Sequence, residues 1–74
     1  MSQQNTLGQD IAAAREAAGL TQLALANAMG IDPQTISRWE RGERRPSPSD
    51  CYRIAEATGA TYQPPRIILA DKEA

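Results

Sequence analysis

The sequence predicts an all-α fold, a compact bundle of four to five short helices. Apolar residues recur at helical spacing in alanine-rich segments, and a glycine follows each such segment at the place where a helix would end. The chain has 74 residues, which is the size of one small domain. Its single cysteine excludes a disulfide framework. We therefore expect tight helix packing, association of chains, or both to stabilise it.

The first two helices are predicted at residues 7–18 and 22–29. In the first segment, apolar side chains recur every three or four residues from Leu7 onwards. Gly19 then stands where a helix commonly ends in a left-handed residue. Thr21 is a suitable N-cap for the second helix because its hydroxyl can accept from a free backbone amide. Gly30 ends that helix.

Two further helices are predicted at about 33–41 and 48–58. Asp32 precedes a proline, and this pair is typical of a helix start, with a capping carboxylate and a residue tolerated at the first helical position. Ser47 also precedes a proline. Asp50 lies three residues after Ser47 and forms a weaker, acidic version of the capping box.

The chain changes character after Gly59, in the segment "ATYQPPRIILADKEA". The Pro-Pro pair prevents the fourth helix from continuing. The stretch "RIILA" is β-branched and apolar, which favours a short C-terminal β-strand, and a fifth helix with Pro65 in its first turn is the alternative. We predict a flexible N-terminus at 1–6, a helical domain at 7–62 and a C-terminal extension at 63–74.

Composition also limits the function. The sequence has no histidine and one cysteine, which excludes a histidine base, a Cys–His pair and a classical zinc site. It also has no phosphate-binding glycine loop, so we predict no metal, no cofactor and no enzymatic activity. The N-terminus "MSQQNTLGQD" lacks the pattern of a signal peptide. No apolar run approaches the roughly 18 residues of a membrane helix. We expect a cytoplasmic protein with no membrane contact.

Positive charge is concentrated in the segment "QTISRWERGERR" at residues 34–45. Four of the eight basic residues of the chain lie there, although the formal net charge of the whole chain is −1. An acidic average argues against a nucleic-acid binder. Attraction of a charged partner depends on where the charges lie, however, so the segment predicts a local binding surface.

The third predicted helix has two different faces. At about 100° per residue, Gln34, Ser37, Arg38 and Arg41 share one polar face, and Trp39 lies on the opposite, largely apolar face. The polar face is either a solvated surface or a reader of the DNA major groove, which is about 12 Å wide and admits one helix. We favour the reader. Gln34 suits adenine, Arg38 suits guanine, and Ser37 is short enough to approach the base edges.

Arginines at and beyond the end of this helix predict contacts with DNA phosphates. Arg41 also suits the negative end of the helix dipole. Arg44 and Arg45 lie beyond the helix, where the dipole does not explain them. Phosphate contacts position a protein without reading the sequence. Gln22, at the start of the second helix, is either another phosphate contact or an ordinary surface residue.

The second and third helices are joined by only three residues, 30–32, which is typical of a helix-turn-helix. The segment "GLTQLALANAMGIDPQTISRWERGERRPS" resembles the lambda-repressor-like, Cro/Xre-type DNA-binding proteins. The matching elements are "GLTQ" at 19–22, "LA…MGI" at 25–31, "TISRWERG" at 35–42 and "RPS" at 45–47. The resemblance covers residues 7–62 and implies that they form a helix-turn-helix DNA-binding domain.

The resemblance further implies a small repressor that binds double-stranded DNA, as a homodimer on a pseudo-palindromic operator. The base-facing positions of the family match Gln34, Ser37 and Arg38. The positions that commonly approach phosphates match Gln22, Thr35, Arg41 and Arg44. The family also has a partly buried ion pair between the first and third helices, at the positions of Arg15 and Glu40.

Some relatives end in a short strand that pairs with its twofold mate, and "RIILA" is similar to that ending. An unpaired strand edge is a liability, so Ile67, Ile68 and Leu69 are candidates for homodimer contacts. The alternative function is an antitoxin, or another protein-interaction module of this fold, with a toxin or other regulator as its partner. The tail "ADKEA" is short for a toxin-neutralising segment, which counts against this alternative.

The sequence also predicts the environment of several single residues. Trp39 is expected in the core because of its position on the apolar face. Cys51 is expected to be a small buried hydrophobe and not a nucleophile. Asp10, Glu16 and Glu56 are expected to be solvated.

Overall fold

The computed structural model describes residues 6–69, which form four helices followed by two short strands. The elements are α1 (Leu7–Ala17), α2 (Gln22–Met29), α3 (Pro33–Glu40), α4 (Pro48–Thr58), β1 (Thr61–Gln63) and β2 (Arg66–Ile68). The predicted four-helix bundle is confirmed, and each helix ends within one residue of its predicted position. Residues 1–5 of the predicted flexible N-terminus and residues 70–74 of the extension lie outside the described residues. Within the described part of the chain, no helix has the length and apolar character needed to cross a membrane.

Every helix begins at a side-chain cap. Thr21, Asp32 and Ser47 accept backbone amide hydrogens at the starts of α2, α3 and α4, as their sequence positions predict. At α1, Thr6 and Gln9 form a full capping box, with bonds of 3.1 and 2.9 Å, which was not predicted. Each cap satisfies amides that the helix itself leaves without an acceptor.

The core lies between the helices and the inner face of the hairpin. Each helix contributes one large, completely buried aliphatic side chain: Ile11, Leu25, Ile36 and Ile54. Burial of such a side chain stabilises the fold by about 1.5–3 kcal/mol. The predicted burial of Trp39 and Cys51 is confirmed. Burial raises the pKa of the Cys51 thiol, which keeps it in the unreactive protonated form.

Gly8 allows α1 to approach the end of α3. A Cβ atom at this position would lie 2.5 Å from the carbonyl oxygen of Trp39 and 2.7 Å from that of Glu40. Only a residue without a side chain fits so close to another backbone. This contact holds the last turn of α3 against the first turn of α1.

The predicted C-terminal strand is confirmed as β2, and it pairs antiparallel with a strand of its own chain. The register places Thr61 opposite Ile68, Tyr62 opposite Ile67 and Gln63 opposite Arg66. The Pro64–Pro65 pair, joined by a cis peptide bond, forms the turn. In the sequence these prolines indicate only the end of a helix, so β1 was missed. The alternative of a fifth helix at residues 66–68 is wrong.

The prediction that Asp10 is solvated is wrong. Its carboxylate lies at the interface of α1 and β2, where it accepts from the guanidinium of Arg66 at 2.5 and 2.7 Å and from the amide of Ile67 at 3.1 Å. Asp10 is thus buried, and both oxygens of its carboxylate accept hydrogen bonds from β2. These partners are more than 50 residues away in sequence, so no local pattern indicated them. Glu16 and Glu56 are exposed, as predicted.

Candidate nucleic-acid interface

The segment α2–turn–α3 has the geometry of a helix-turn-helix. Gly30 ends α2 in the left-handed conformation, with φ of 71°, and Asp32 caps α3 two residues later. Leu25 of α2 and Ile36 of α3 are both completely buried in the same core cluster. One side of α3 is therefore fixed to the body of the protein, and the other side is free to meet a partner.

The free side of α3 carries the three side chains predicted to face DNA bases. Gln34, Ser37 and Arg38 line one shallow depression of about 230 Å³, together with Arg41 and Glu43. Gln34 and Arg38 are exposed, and Ser37 is half-buried. The structure thus brings the predicted base-reading residues onto one continuous polar surface, with donors and acceptors side by side.

Arg41 is already engaged within this surface. Its Nε and Nη2 donate to the carboxylate of Glu43 at 2.9 and 3.1 Å, and its Nη1 donates to Ser37 Oγ at 2.6 Å. The hydrogen bonds from Arg41 lower the pKa of Glu43, and the same bonds raise the pKa of Arg41. Glu43 was not predicted to belong to the site. The sequence signal for this contact was the glycine at position 42. In the structure Gly42 has a φ of 80°, which turns the chain so that Glu43 lies beside Arg41.

The remaining loop arginines lie beside the start of α1. Arg44 and Arg45 are exposed and line a second depression of about 450 Å³, whose other wall includes Thr6 and Leu7. Arg41 borders both depressions. The N-terminal end of a helix carries a partial positive charge, so α1 adds to the attraction that these arginines exert on an anion.

The two other predicted phosphate contacts are less exposed than the arginines. Thr35 and Gln22 are both half-buried. The side-chain amide of Gln22 donates to Glu40 Oε1 at 2.9 Å. One hydrogen of that amide is therefore used inside the protein, which leaves the second hydrogen for an outside acceptor.

Glu40 connects α1, α2 and α3 behind the polar surface of α3. Its carboxylate accepts from Arg15 Nε at 2.6 Å and from Arg15 Nη2 at 3.2 Å, and Arg15 also donates to the carbonyl of Leu20 at 2.9 Å. The Arg15 and Glu40 side chains are only 13% and 8% exposed. The hydrogen bond to Glu40 raises the pKa of Arg15, so the guanidinium stays charged. With Gln22 on the same carboxylate, the cluster ties α3 to α1 and α2.

Comparison with known proteins identifies this arrangement. A family model described as helix-turn-helix matches residues 11–63. The chain belongs to this helix-turn-helix family. A curated relative, an uncharacterized HTH-type transcriptional regulator named y4dJ from Sinorhizobium fredii, is 32% identical over 62 residues, which span 84% of this chain and 80% of that protein.

Two solved structures have the same fold. The P22 c2 repressor, in complex with a synthetic operator, superposes with a TM-score of 0.70 at 28% identity, covering 76% of this chain and 85% of the repressor chain. The restriction-modification controller protein C.AhdI from Aeromonas hydrophila gives a TM-score of 0.67 at 34% identity, with coverage of 72% and 80%. The predicted family is therefore confirmed. The protein is a DNA-binding transcriptional regulator of the repressor type and not an enzyme.

Proposed function

We propose that the helix-turn-helix protein reads an operator through α3 in the DNA major groove, with Gln34, Ser37 and Arg38 on base edges. One observation carries this proposal: these side chains share a single polar depression on the free side of the helix whose other side is buried. The chemistry fits the groove, because an amide pairs with adenine and a guanidinium with the two acceptors of guanine.

We assign the phosphate contacts chiefly to Arg44 and Arg45, with smaller contributions from Thr35 and Gln22. The two arginines are exposed and lie next to the reading surface, on the side of the α1 N-terminus. Three of the five N–H donors of Arg41 are already bonded within the protein, so we give it a lesser share of the phosphate binding.

Selection from random duplex DNA with the purified protein tests this function. A protein of this kind should enrich two related half-sites about 10 bp apart, or a multiple of that distance. With two arginine–phosphate contacts in each half of a dimer, log affinity should fall against log salt with a slope of about −3.6, a loss of about 150-fold between 50 and 200 mM. Failure to enrich any sequence would overturn the proposal.

Single variants separate the two kinds of contact. Arg44→Ala should weaken binding to all sequences alike and reduce the magnitude of the salt slope by about one for each phosphate that the variant no longer neutralises. Arg53→Ala removes the same charge from α4, outside both depressions of the interface, and should leave the slope unchanged. A change of sequence preference in Arg44→Ala would mean that this residue reads a base.

We further propose that the protein acts as a homodimer on a pseudo-palindromic operator, with Ile68 and Leu69 in the dimer contact. Both side chains are more than 40% exposed although they are large and apolar. Ile67, predicted to join them, packs in the core of its own chain, and its amide donates to Asp10. Its contribution to a dimer would be to hold β2 in place.

Light scattering of an Ile68→Lys/Leu69→Lys double variant tests this contact. Deletion of the strand is unsuitable because it would also remove Ile67 from the core. The double variant should be monomeric at concentrations where the parent protein is dimeric. Leu23→Lys is the control, since Leu23 is also large, apolar and exposed but lies on α2. A double variant that remains dimeric would exclude Ile68 and Leu69 from the contact.

The antitoxin alternative and the cytoplasmic location stay predictions. A partner protein such as a toxin would need a surface besides the DNA interface. The tail "ADKEA", the segment considered for this role, lies outside the described residues. A protein that binds DNA must lie in the same compartment as the DNA, which supports a cytoplasmic location.

A further inference from the structure

We propose that Arg41 is a positioning residue that makes Ser37 a hydrogen-bond donor toward DNA, so that the protein selects against cytosine at the base Ser37 meets. The inference rests on the proposed function, because it requires α3 to lie in the major groove. It deepens that function by assigning part of the sequence specificity to Arg41 and Glu43, neither of which needs to touch a base.

The direction of the bond between Arg41 and Ser37 is fixed by chemistry. A guanidinium carries five N–H donors and no acceptor. At the observed 2.6 Å, Ser37 Oγ must therefore be the acceptor of the Arg41 Nη1 proton. The hydroxyl retains its own hydrogen, and one lone pair is occupied.

Glu43 holds the guanidinium in the orientation that this bond needs. The two parallel bonds from Arg41 Nε and Nη2 to its carboxylate form a bidentate pair, the arrangement with the strongest geometric preference for arginine. Both side chains are more than half exposed, so little else restrains them. With the Nε–Nη2 edge of the guanidinium fixed on Glu43, one of the two Nη1 hydrogens points at Ser37.

The proton of Ser37 is left available for a partner. Serine in a helix often donates back to the carbonyl four residues earlier, as Thr58 does to Ile54 in α4. Among the hydrogen bonds of residues 6–69, the Ser37 hydroxyl takes part only as the acceptor from Arg41. A hydroxyl that accepts from a charged donor is polarised, which strengthens it as a donor and weakens its second lone pair as an acceptor.

A donor at this position distinguishes the bases. In the major groove, guanine and thymine present acceptors, adenine presents the N7 acceptor beside its N6 amino donor, and cytosine presents only the N4 amino donor. A free serine hydroxyl would tolerate either kind of group, since it can rotate to donate or accept. The hydroxyl polarised by Arg41 should favour an acceptor and disfavour cytosine.

The competing explanation is that Arg41 leaves Glu43 on binding and contacts a phosphate. Arg41→Lys separates the two explanations. A lysine keeps the positive charge that a phosphate needs, but its single ammonium cannot fork onto Glu43 and reach Ser37 in the same geometry. Arg44→Lys is the matched control, because Arg44 lies in the same segment but does not bond to Ser37.

The experiment measures the affinity of each variant for the selected operator and for duplexes with a single changed base pair. The pair read by Ser37 is the one at which Ser37→Ala loses its preference. The parent protein should disfavour cytosine there by about 3- to 10-fold, the range of one hydrogen bond. Arg41→Lys should reduce this ratio to about 1 and leave the other pairs unchanged. Arg44→Lys should keep the ratio, and Ser37→Ala/Arg41→Lys should match Ser37→Ala.

Each contrary result has a distinct meaning. If Arg41→Lys keeps the full preference, the positioning role is overturned while the proposed function stands. If Ser37→Ala changes no base preference, Ser37 reads no base and this inference falls, although Arg38 can still carry the reading. If the parent protein selects no sequence at all, the proposed function and this inference fall together. Circular dichroism of every variant checks that the helices are intact.

Discussion

Replacing Gly8 with alanine should destabilise this protein, although the same change inside an ordinary helix is stabilising. Alanine is favoured over glycine in a helix by about 1 kcal/mol. At Gly8 the added carbon would lie 2.5 and 2.7 Å from two backbone carbonyl oxygens of α3, where ordinary contact begins at 3.4 Å. Backbone oxygens in a helix cannot rotate away, so α1 and α3 would have to move apart.

The expected size follows from the two opposing effects. Overpacking of a well-packed core costs about 1–3 kcal/mol, and two contacts this short place the cost near the upper end. After subtraction of the helix propensity, the free energy of unfolding should fall by about 2 kcal/mol. For a domain of this size that lowers the Tm by roughly 8–16 °C.

Thermal unfolding followed by circular dichroism, and urea unfolding followed by the fluorescence of buried Trp39, both measure this change. Ala13→Gly is the control, because Ala13 is exposed on the same helix and reports the propensity effect alone. It should destabilise the protein by about 1 kcal/mol. A Gly8→Ala protein as stable as its parent, or more stable, would refute the close approach of α1 and α3.

Three further predictions concern the polar pairs. Arg15→Met or Glu40→Met should each lower the free energy of unfolding in urea by about 3–5 kcal/mol, because the remaining partner stays buried. The double variant should lose less than the sum of the two single losses, and additive losses would contradict the ion pair. Asp10→Asn should lower the free energy of unfolding by about 1–2 kcal/mol, since asparagine keeps an acceptor for the β2 amide but loses the charge that faces the β2 guanidinium. Unchanged stability would show that this ion pair does not stabilise the fold. The pKa of the Glu43 carboxyl is lower in the folded state than in the unfolded state. The stabilisation that Glu43 provides is therefore present above its unfolded pKa and is lost as the pH falls through its folded pKa. An NMR titration should show this lowered pKa, which should rise when Arg41, its largest cause, is replaced by alanine.

The parts of the fold that were predictable depend on neighbouring residues. Thr21, Asp32 and Ser47 mark helix starts because capping is a bond to an amide two or three residues away. The two faces of α3 follow from helical periodicity, which placed Trp39 inside and Arg38 outside. Such features are visible in any short window of sequence.

The features that were missed depend on distant contacts or on the path of a loop. The carboxylate of Asp10 meets its partners only after the hairpin folds onto α1. Gly8 resembles an ordinary weak helix residue until α3 lies against it. The bond between Arg41 and Glu43 requires the left-handed turn between them. Helical periodicity assigned Arg41 to the right face but did not indicate its partner.

The base-reading role of α3 is tested most directly by combining Arg38→Ala with single base-pair changes in the selected operator. Affinities of both proteins for each duplex give the coupling between Arg38 and every base pair. We predict a coupling of about 1–3 kcal/mol at one guanine-containing pair per half-site, and values near zero elsewhere. An equal loss of affinity on every duplex would show that Arg38 contacts phosphate and would contradict the reading of bases by this residue.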